Sequence, residues 1–315
     1  MSGKEDTSLV PRPSGELVRI PPGASAIIDG MVNDTTAIIR TRDTIRHRVG
    51  NYEFREPDYR QILIWAKAVG TTPDDLVVRL QKGRLKVSDG ALINMRVQHI
   101  FMGVGLDLSR VPQLKKLDCR KNRLTELDLS RVPQLETLDC GRNRLTELDL
   151  SQVSQLKELG CRRNELAELD LSWSPQLKEL NCMSNVLSKL ALSCVAGLKG
   201  LRCGNNHLTE LDLSRVPNLK VLSCGYNELT ELDLSRVPQL ETLGCWGNEL
   251  TELDLSGVPY LKELDCTGNA LAELNISGLK EREPQVRCDP GARIHKRDDQ
   301  NPTISQGVPI STRMR

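Results

Sequence analysis

The stretch LTELDLSRVPQLETLDCGRNR, residues 124–144, decides the fold, because residues 145–165 restart it as LTELDLSQVSQLKELGCRRNE. The same frame of 21 residues fits eight times between Leu114 and Glu281. Self-similarity at a short fixed period is typical of solenoids, in which each unit buries its apolar face only by stacking on its neighbours. We therefore predict a repeat solenoid over residues 101–288, with eight full repeats from Leu114 and atypical coils at both ends.

One cysteine and one asparagine recur at fixed places in every repeat. A carboxamide can both donate and accept, so stacked Asn side chains can satisfy the backbone of the turn that follows each strand. Leu and Cys are expected to point inward and to form continuous apolar columns. We predict structural ladders made of Asn122, Asn143, Asn164, Asn185, Asn206, Asn227, Asn248 and Asn269, and of Cys119, Cys140, Cys161, Cys182, Cys203, Cys224, Cys245 and Cys266.

A single thiol per repeat indicates packing rather than disulfide bonding. Equivalent Cβ atoms in adjacent parallel strands lie about 4.8 Å apart, farther than the roughly 3.8 Å that a disulfide prefers. We therefore expect reduced thiols and a cytoplasmic protein. Cys194 occupies an outer position of an irregular coil, and we expect it to be the most accessible thiol of the repeats.

Written as a consensus, the unit is L-x-x-L-x-C-x-x-N-x-L-x-x-L-D-L-S-x-x-P-x. It resembles the leucine-rich repeat with Cys in place of the third Leu, and the nested second half is similar to the bacterial class called IRREKO. The resemblance extends over residues 106–288. It implies a right-handed solenoid with one parallel β-strand per coil on a concave face, little or no helix, and a role in binding proteins.

The segments on either side of the repeats differ from them in composition and residue pattern. Residues 1–14 and 289–315 are polar and interrupted by proline, which predicts disorder. Residues 15–100 combine short β-like runs with a helical pattern from Pro57 to Val69 and a second helix from Thr72 through Leu80. This segment is expected to be either a small α+β N-terminal domain or a cap on the first coil.

Part of the N-terminal segment suggests a different function. AKAVGTTPDDLVVRL, residues 66–80, resembles the closing helices of bacterial helix-turn-helix repressors. The residues before it indicate strands, and a recognition helix is missing. A DNA-associated regulator that uses residues 15–100, with the repeats as its sensor or partner-binding part, is therefore kept as the alternative.

Charge and motifs narrow the function classes. The chain has 43 Lys and Arg against 42 Asp and Glu, a balance of +1 that disfavours bulk nucleic acid or an anionic membrane as the partner. An apolar run of membrane-spanning length is missing from the sequence. Enzyme signatures such as G-x-S-x-G or H-E-x-x-H are also missing, and the four histidines are scattered. We predict a protein that is not an enzyme and uses no metal or other cofactor.

Function is expected where the repeats differ from one another. The positions beside the conserved Cys should face outward, and they vary from coil to coil. We predict a partner-binding surface formed by Arg120, Lys121, Arg142, Arg162, Arg163, Met183, Arg202, Tyr226 and Trp246. The arginines would steer an acidic partner, and the aromatic residues would anchor it. A solvated face whose composition has drifted is the simpler alternative.

These observations predict a non-catalytic protein–protein interaction module with a protein partner. It would be an intracellular scaffold or a bacterial effector delivered into a host cell. Binding of phosphate or nucleic acid by the basic positions is disfavoured, because aromatic residues do not alternate with those arginines. The repeated Glu-x-Asp pairs, such as Glu126 and Asp128, are interpreted as a solvated acidic face, because catalysis needs two carboxylates in unlike environments.

Overall fold

The structure is a computed structural model that describes residues 9–11, 17–19, 46–49, 52–81, 86–88, 91–98, 100–101 and 105–306. The β-like runs predicted between residues 20 and 45 lie outside these ranges. Two antiparallel hairpins come first in the chain, β1 (Leu9–Pro11) with β2 (Leu17–Arg19), and β3 (Arg46–Val49) with β4 (Tyr52–Arg55). The first hairpin shows that the prediction of disorder is wrong for residues 9–11, since cross-strand pairing orders them.

Two helices follow the hairpins, α1 (Glu56–Ala68) and α2 (Pro73–Gln81). Both agree with the helical patterns of the sequence. Thr72 caps α2, because its Oγ1 accepts the N–H of Asp75 at 3.2 Å. Neither helix in the described part of the chain has the length and apolarity needed to cross a bilayer.

The solenoid is built on one twelve-stranded sheet. Its first two strands, β5 (Lys86–Ser88) and β6 (Ala91–Arg96), are antiparallel to each other. The parallel strands after β6 are β7 (Lys116–Asp118), β8 (Thr137–Asp139), β9 (Glu158–Gly160), β10 (Glu179–Asn181), β11 (Gly200–Arg202), β12 (Val221–Ser223), β13 (Thr242–Gly244) and β14 (Glu263–Asp265). The sheet ends with β16 (Gln285–Cys288) and β18 (Thr303–Gln306), while β15 (Glu273–Asn275) and β17 (Arg293–His295) pair separately.

The interior is filled by columns of identical side chains. The central leucine of each repeat strand is buried, and in β7 and β8 the residues on either side of Leu117 and Leu138 are more exposed. Each buried leucine contributes about 1.5–3 kcal/mol relative to an exposed one. Ser174 interrupts the column that Val153 and Val195 occupy, and its buried hydroxyl has no hydrogen-bond partner in the described part of the chain. The parallel-strand solenoid inferred from the repeat is thus confirmed.

The helical segment closes the N-terminal end of the solenoid. Trp65 of α1 is fully buried against Phe101, with ring centroids 6.1 Å apart. Its Nε1 donates to the backbone carbonyl of Asp107 at 2.5 Å, and the Gln61 Oε1 accepts the Arg110 N–H at 2.9 Å. The buried residues of this segment and of the repeats form one hydrophobic cluster. Of the two arrangements expected for residues 15–100, these contacts favour a cap.

The predicted boundary between this segment and the solenoid is misplaced. Strand β6 already pairs in parallel with β7, with Met95 opposite Leu117. The sheet of the solenoid therefore includes Ala91 and does not start at residue 101. This first coil was missed because it is one residue longer than the repeat and carries Met95 and Val97 where later coils carry Leu and Cys.

The prediction of a disordered tail is wrong for residues 289–306. Strand β18 pairs with β16, and β17 pairs with β15. Gln300 is buried, and its Nε2 donates to the carbonyls of Ile276 at 3.0 Å and Leu279 at 3.1 Å. Polar composition concealed this order, because the segment is held by hydrogen bonds such as those of Gln300 and contributes only Ala292 and Ile294 as partly buried apolar side chains. Residues 307–315 lie outside the described residues.

Candidate interaction surface

The asparagines form a ladder that fixes the turn after each strand. In Asn143, the Oδ1 accepts the N–H groups of Asn122 at 2.9 Å and Leu124 at 3.0 Å. Its Nδ2 donates to the carbonyls of Cys140 at 2.8 Å and Cys119 at 3.0 Å. In each of the other ladder asparagines, the Nδ2 likewise donates to the carbonyl of the cysteine three residues earlier. These are Asn122, Asn164, Asn185, Asn206, Asn227, Asn248 and Asn269. The outward residues beside these turns are therefore held on a rigid backbone.

The last rung of the asparagine ladder is a carboxylate. Asp289 accepts the N–H groups of Gly268 at 2.8 Å and Asn269 at 3.0 Å, one through each oxygen. A carboxylate serves here because it only accepts hydrogen bonds, and these two donors face it. Sequence reasoning missed this substitution, since Asp289 lies one residue ahead of the repeat phase.

The cysteine column lies in the apolar interior. All eight ladder cysteines and Cys288 are buried with free thiols, whereas Cys194 is free and exposed. Burial raises the pKa of Cys182, Cys224 and Cys266 to about 12, and it raises the pKa of Cys119 well above its usual value. Because the thiolate is the reactive form, these groups are protected by both access and ionisation.

Thiol labelling of the native protein should therefore single out Cys194. With iodoacetamide at about pH 8, we expect mass spectrometry to find one modified cysteine per chain before unfolding and ten after it. The unfolded sample serves as the control for intrinsic reactivity. Comparable modification of Cys194 and Cys161 in the native state would contradict the buried column.

Some of the predicted basic residues are neutralised on the sheet face, by which we mean the outward side chains of the parallel strands and of the two residues that follow each ladder cysteine. Arg120 lies 2.8 Å from Asp118 and 3.1 Å from Asp139, measured between nitrogen and carboxylate oxygen. Burial raises the pKa of Asp118, but hydrogen bonds from Arg120 and Gln98 outweigh it and the pKa falls below its usual value. Burial raises the pKa of Asp139. Arg120 therefore belongs to a local ion network with these two carboxylates and is not a free charge.

Glycines on the sheet face provide space for the side chains of adjacent coils. A Cβ on Gly141 would lie 3.0 Å from Arg162 Cγ, and one on Gly160 would lie 3.0 Å from Asp139 Cγ. Farther along, the Glu179 carboxylate overlaps the position of a Cβ on Gly200 and lies 3.7 Å from Arg202. The arginines at 162 and 202 therefore lie along the surface of the sheet, beside carboxylates.

The other basic residues lie at the turn edge of the sheet. Lys121, Arg142 and Arg163 occupy equivalent positions in three successive coils and have positive φ angles of 62°, 57° and 56°. Within the described chain they form no ion pair, and neither do their neighbours Arg123 and Arg144. The unpaired positive charge of the predicted patch is concentrated here.

The two predicted aromatic anchors lie together at the other end of the sheet face. Tyr226 and Trp246 meet edge to face, with ring centroids 6.4 Å apart. A Cβ on Gly225 would lie 2.5 Å from Trp246 Cδ2, one on Gly244 would overlap Trp246 Cζ3, and one on Gly247 would lie 2.7 Å from Tyr226 Cδ1. The rings rest on bare backbone, with Trp246 half-buried and Tyr226 41% exposed.

The structure places all nine predicted residues along one side of the sheet, but in two groups. The basic group spans the coils of β7 to β9, and the aromatic pair belongs to the coils of β12 and β13. Half-buried Met183 and exposed Arg202 lie in the coils between them. The glycines that seat the aromatic rings are not evident from the repeat pattern, and their role follows from the packed structure.

The aspartates of the repeated Glu-x-Asp pairs have a local structural role. The Oδ1 atoms of Asp128, Asp149 and Asp170 each accept the N–H of the serine two residues later, at 2.8–2.9 Å. The hydrogen bond with the Ser130 hydroxyl, followed by that with the Ser130 N–H, lowers the pKa of Asp128. The carboxylates therefore stabilise copies of the same turn. Among the described residues, no group of His, Cys, Asp and Glu is arranged to hold a metal ion.

Comparison with known proteins agrees with this geometry. A family model described as "Leucine Rich repeats (2 copies)" matches residues 112–152. The functional domain of InlJ from Listeria monocytogenes, whose structure is described as including a cysteine ladder, has a similar fold with a TM-score of 0.54 and 29% sequence identity. The coils are leucine-rich repeats. A search of curated protein sequences gave no significant match.

The matching solved structures extend beyond this chain. The similarity to the InlJ domain covers 70% of this chain and 56% of that one. The leucine-rich repeat ectodomain of a plant receptor kinase from Arabidopsis thaliana, solved in complex with CASPARIAN STRIP INTEGRITY FACTOR 2, has a TM-score of 0.52 and 21% identity. That match covers 64% of this chain and 28% of the ectodomain, and it shows the fold alone.

Proposed function

We propose that this leucine-rich repeat chain is a non-catalytic module that binds a protein partner through its sheet face. The observation that carries the proposal is the Tyr226–Trp246 pair. Aromatic residues make up only 3% of the chain, yet two of them are held side by side and accessible on glycine backbone. Tyr and Trp dominate the energetics of protein interfaces, because they bury a large area with few rotatable bonds.

The charged groups of the sheet face support docking rather than chemistry. Arg120, Asp118 and Asp139 satisfy one another within 3.1 Å. Such a network gives a partner a fixed pattern of charge, which favours specificity and rapid association. Leucine-rich repeats are generally binding modules, and the proposal keeps that role for this chain.

We also propose a reducing compartment, either a bacterial cytoplasm or the cytosol of a host cell into which the protein is delivered. Free Cys194 is exposed, and an exposed thiol persists most readily where glutathione or thioredoxin keeps it reduced. The similarity to a Listeria protein supports a bacterial setting. The DNA-binding alternative has no comparable supporting observation among the described residues.

A pull-down with a matched control tests the proposed function. The site variant combines Tyr226→Ala with Trp246→Ala. The control combines Trp173→Ala with Tyr260→Ala, which removes two aromatic residues that are 53% and 50% exposed in other parts of the chain. We expect specific proteins from bacterial or host lysate to bind wild type and control alike, and the affinity of the purified partner for the site variant to fall at least about tenfold.

A third variant separates loss of the rings from loss of their position. Gly244→Ala keeps both aromatic residues, but its Cβ would overlap Trp246 Cζ3 and should displace the indole. We expect a change in tryptophan fluorescence and weaker partner binding. Equal capture by the site variant and the control would show that the sheet face is not the binding surface.

A further inference from the structure

A left-handed backbone position recurs in every full repeat. The residue two places after the ladder cysteine has a φ angle between 56° and 71° in Lys121, Arg142, Arg163, Ser184, Asn205, Tyr226, Gly247 and Gly268. We call these eight residues the left-handed column. Only glycine adopts this conformation without steric cost, and long or aromatic side chains are disfavoured there. The last two coils carry glycine, so the scaffold accepts it at this position.

The non-glycine residues of the column are sorted by chemistry. Cations occupy the first three coils, and Ser184 and Asn205 occupy the next two and hydrogen-bond to each other at 3.1 Å. Tyr226 follows and contacts Trp246. Backbone strain that glycine would relieve has been kept in the first three coils and at Tyr226 by side chains suited to binding. Retained strain of this kind is characteristic of functional sites.

The cations of the column carry uncompensated charge. Lys121, Arg142 and Arg163 make no ion pair with any described residue, and Arg142 and Arg163 are exposed. Arg120, by contrast, already has two carboxylate partners next to this row. Unpaired arginines fit carboxylates well, since the planar guanidinium can donate two parallel hydrogen bonds to one carboxylate.

We propose that the left-handed column binds an extended segment of an acidic partner protein, with carboxylates opposite Lys121, Arg142 and Arg163 and an apolar side chain against Tyr226 and Trp246. Adjacent strands are about 4.8 Å apart, so the five steps from Lys121 to Tyr226 span about 24 Å. An extended peptide covers that distance with about seven residues at roughly 3.4 Å each. This inference rests on the proposed function and specifies the chemistry and length of the ligand.

A nucleic acid fits the column less well. Proteins that bind single strands alternate cations with aromatic side chains on which the bases stack. Here the first three members are all cations, and the aromatic member, Tyr226, comes three coils after Arg163. A peptide with acidic residues at one end and an apolar residue at the other matches this asymmetric order.

Binding of labelled heptapeptides to the full chain tests the proposal. Two fluorescein-labelled probes carry three glutamates at one end and phenylalanine at the other, in opposite sequence directions. Matched probes replace glutamate with lysine, and labelled oligothymidylate represents nucleic acid. We expect one acidic probe to bind measurably and the lysine probes not to bind.

The informative variant is Lys121→Gly, Arg142→Gly and Arg163→Gly combined. It should lose at least about tenfold in affinity for the acidic peptide, while its melting temperature stays equal or rises because strain is relieved. The control combines Arg131→Gln, Arg215→Gln and Arg236→Gln, which removes the same charge from exposed positions where one repeat naturally carries Gln152. The control should keep wild-type affinity.

Four outcomes would overturn the proposal. They are peptide binding unchanged in the glycine variant, a lower melting temperature of that variant, oligothymidylate binding as tightly as the peptide, and no peptide binding up to about 1 mM. The proposed function can be judged separately, because the pull-down depends on Tyr226 and Trp246 and not on the cations. The site variant could lose the captured partner while no peptide binds to the wild type. That result would keep the sheet face as a docking surface and would disprove only the proposal of an extended acidic segment as its ligand.

Discussion

Replacing Trp65 with alanine should lower the free energy of unfolding by about 3–5 kcal/mol. The indole is fully buried between the cap and the first coil, and its edge contacts Phe101. The substitution removes the largest fully buried side chain among the described residues and leaves the Asp107 carbonyl without the donor that it has at 2.5 Å. The first coil would then expose its apolar end, as an uncapped solenoid does.

Urea denaturation followed by circular dichroism measures this loss. Leu63→Ala on the same helix is the control, because Leu63 is 39% exposed and its removal leaves the junction intact. We expect Leu63→Ala to cost less than about 1 kcal/mol. Equal midpoints for the two variants would mean that the helices do not stabilise the repeats.

Removing one asparagine from the ladder should cost about 1–3 kcal/mol. In Asn164→Leu, the Leu145 N–H loses its acceptor at 3.1 Å. The Cys161 carbonyl loses one donor at 2.8 Å but keeps another, the Asn185 Nδ2 at 3.2 Å. Each cysteine carbonyl inside the ladder thus has a second donor, and single substitutions are partly buffered.

Removing two neighbouring asparagines should leave their shared cysteine carbonyl without either donor. In Asn164→Leu with Asn185→Leu, the Cys161 carbonyl has neither donor, and a buried carbonyl without a partner is expensive. We expect the combined loss to exceed the sum of the single losses by about 1 kcal/mol or more. Asn164→Leu with Asn227→Leu is the control, because these residues share no partner and their effects should add.

A double-mutant cycle by urea denaturation measures the coupling. If the neighbouring and the distant pairs were equally additive, the shared carbonyls would have no energetic role. The result also bears on binding, since the ladder holds the turns from which Lys121 and Tyr226 project.

The repeated part of the fold was predictable because each position recurs. Leu117 or Cys119 alone says little, but the same residue types at the same interval require the same buried column in every coil. The ends were not predictable in this way. Met95 and Val97 belong to a coil of different length, and Gln300 closes the other end through hydrogen bonds to backbone carbonyls, which leave no apolar pattern.

The candidate surface was predictable in position but not in conformation. Outward positions follow from strand alternation, and the structure places Trp246 among them. That Trp246 lies flat depends on Gly225, which belongs to the preceding coil but is its neighbour in space. Comparing coils position by position reveals such pairs, whereas the direction in which a side chain turns needs the packed structure.

Because the coils are uniform, the number of coils fixes the distance between two sites on the sheet face. Gain or loss of one whole 21-residue unit would leave the cysteine and asparagine ladders continuous while moving the aromatic pair about 4.8 Å relative to the cations. The number of coils between Arg163 and Tyr226 therefore sets the distance between the cations and the aromatic pair, and a change of one coil would change the length of the segment that spans them.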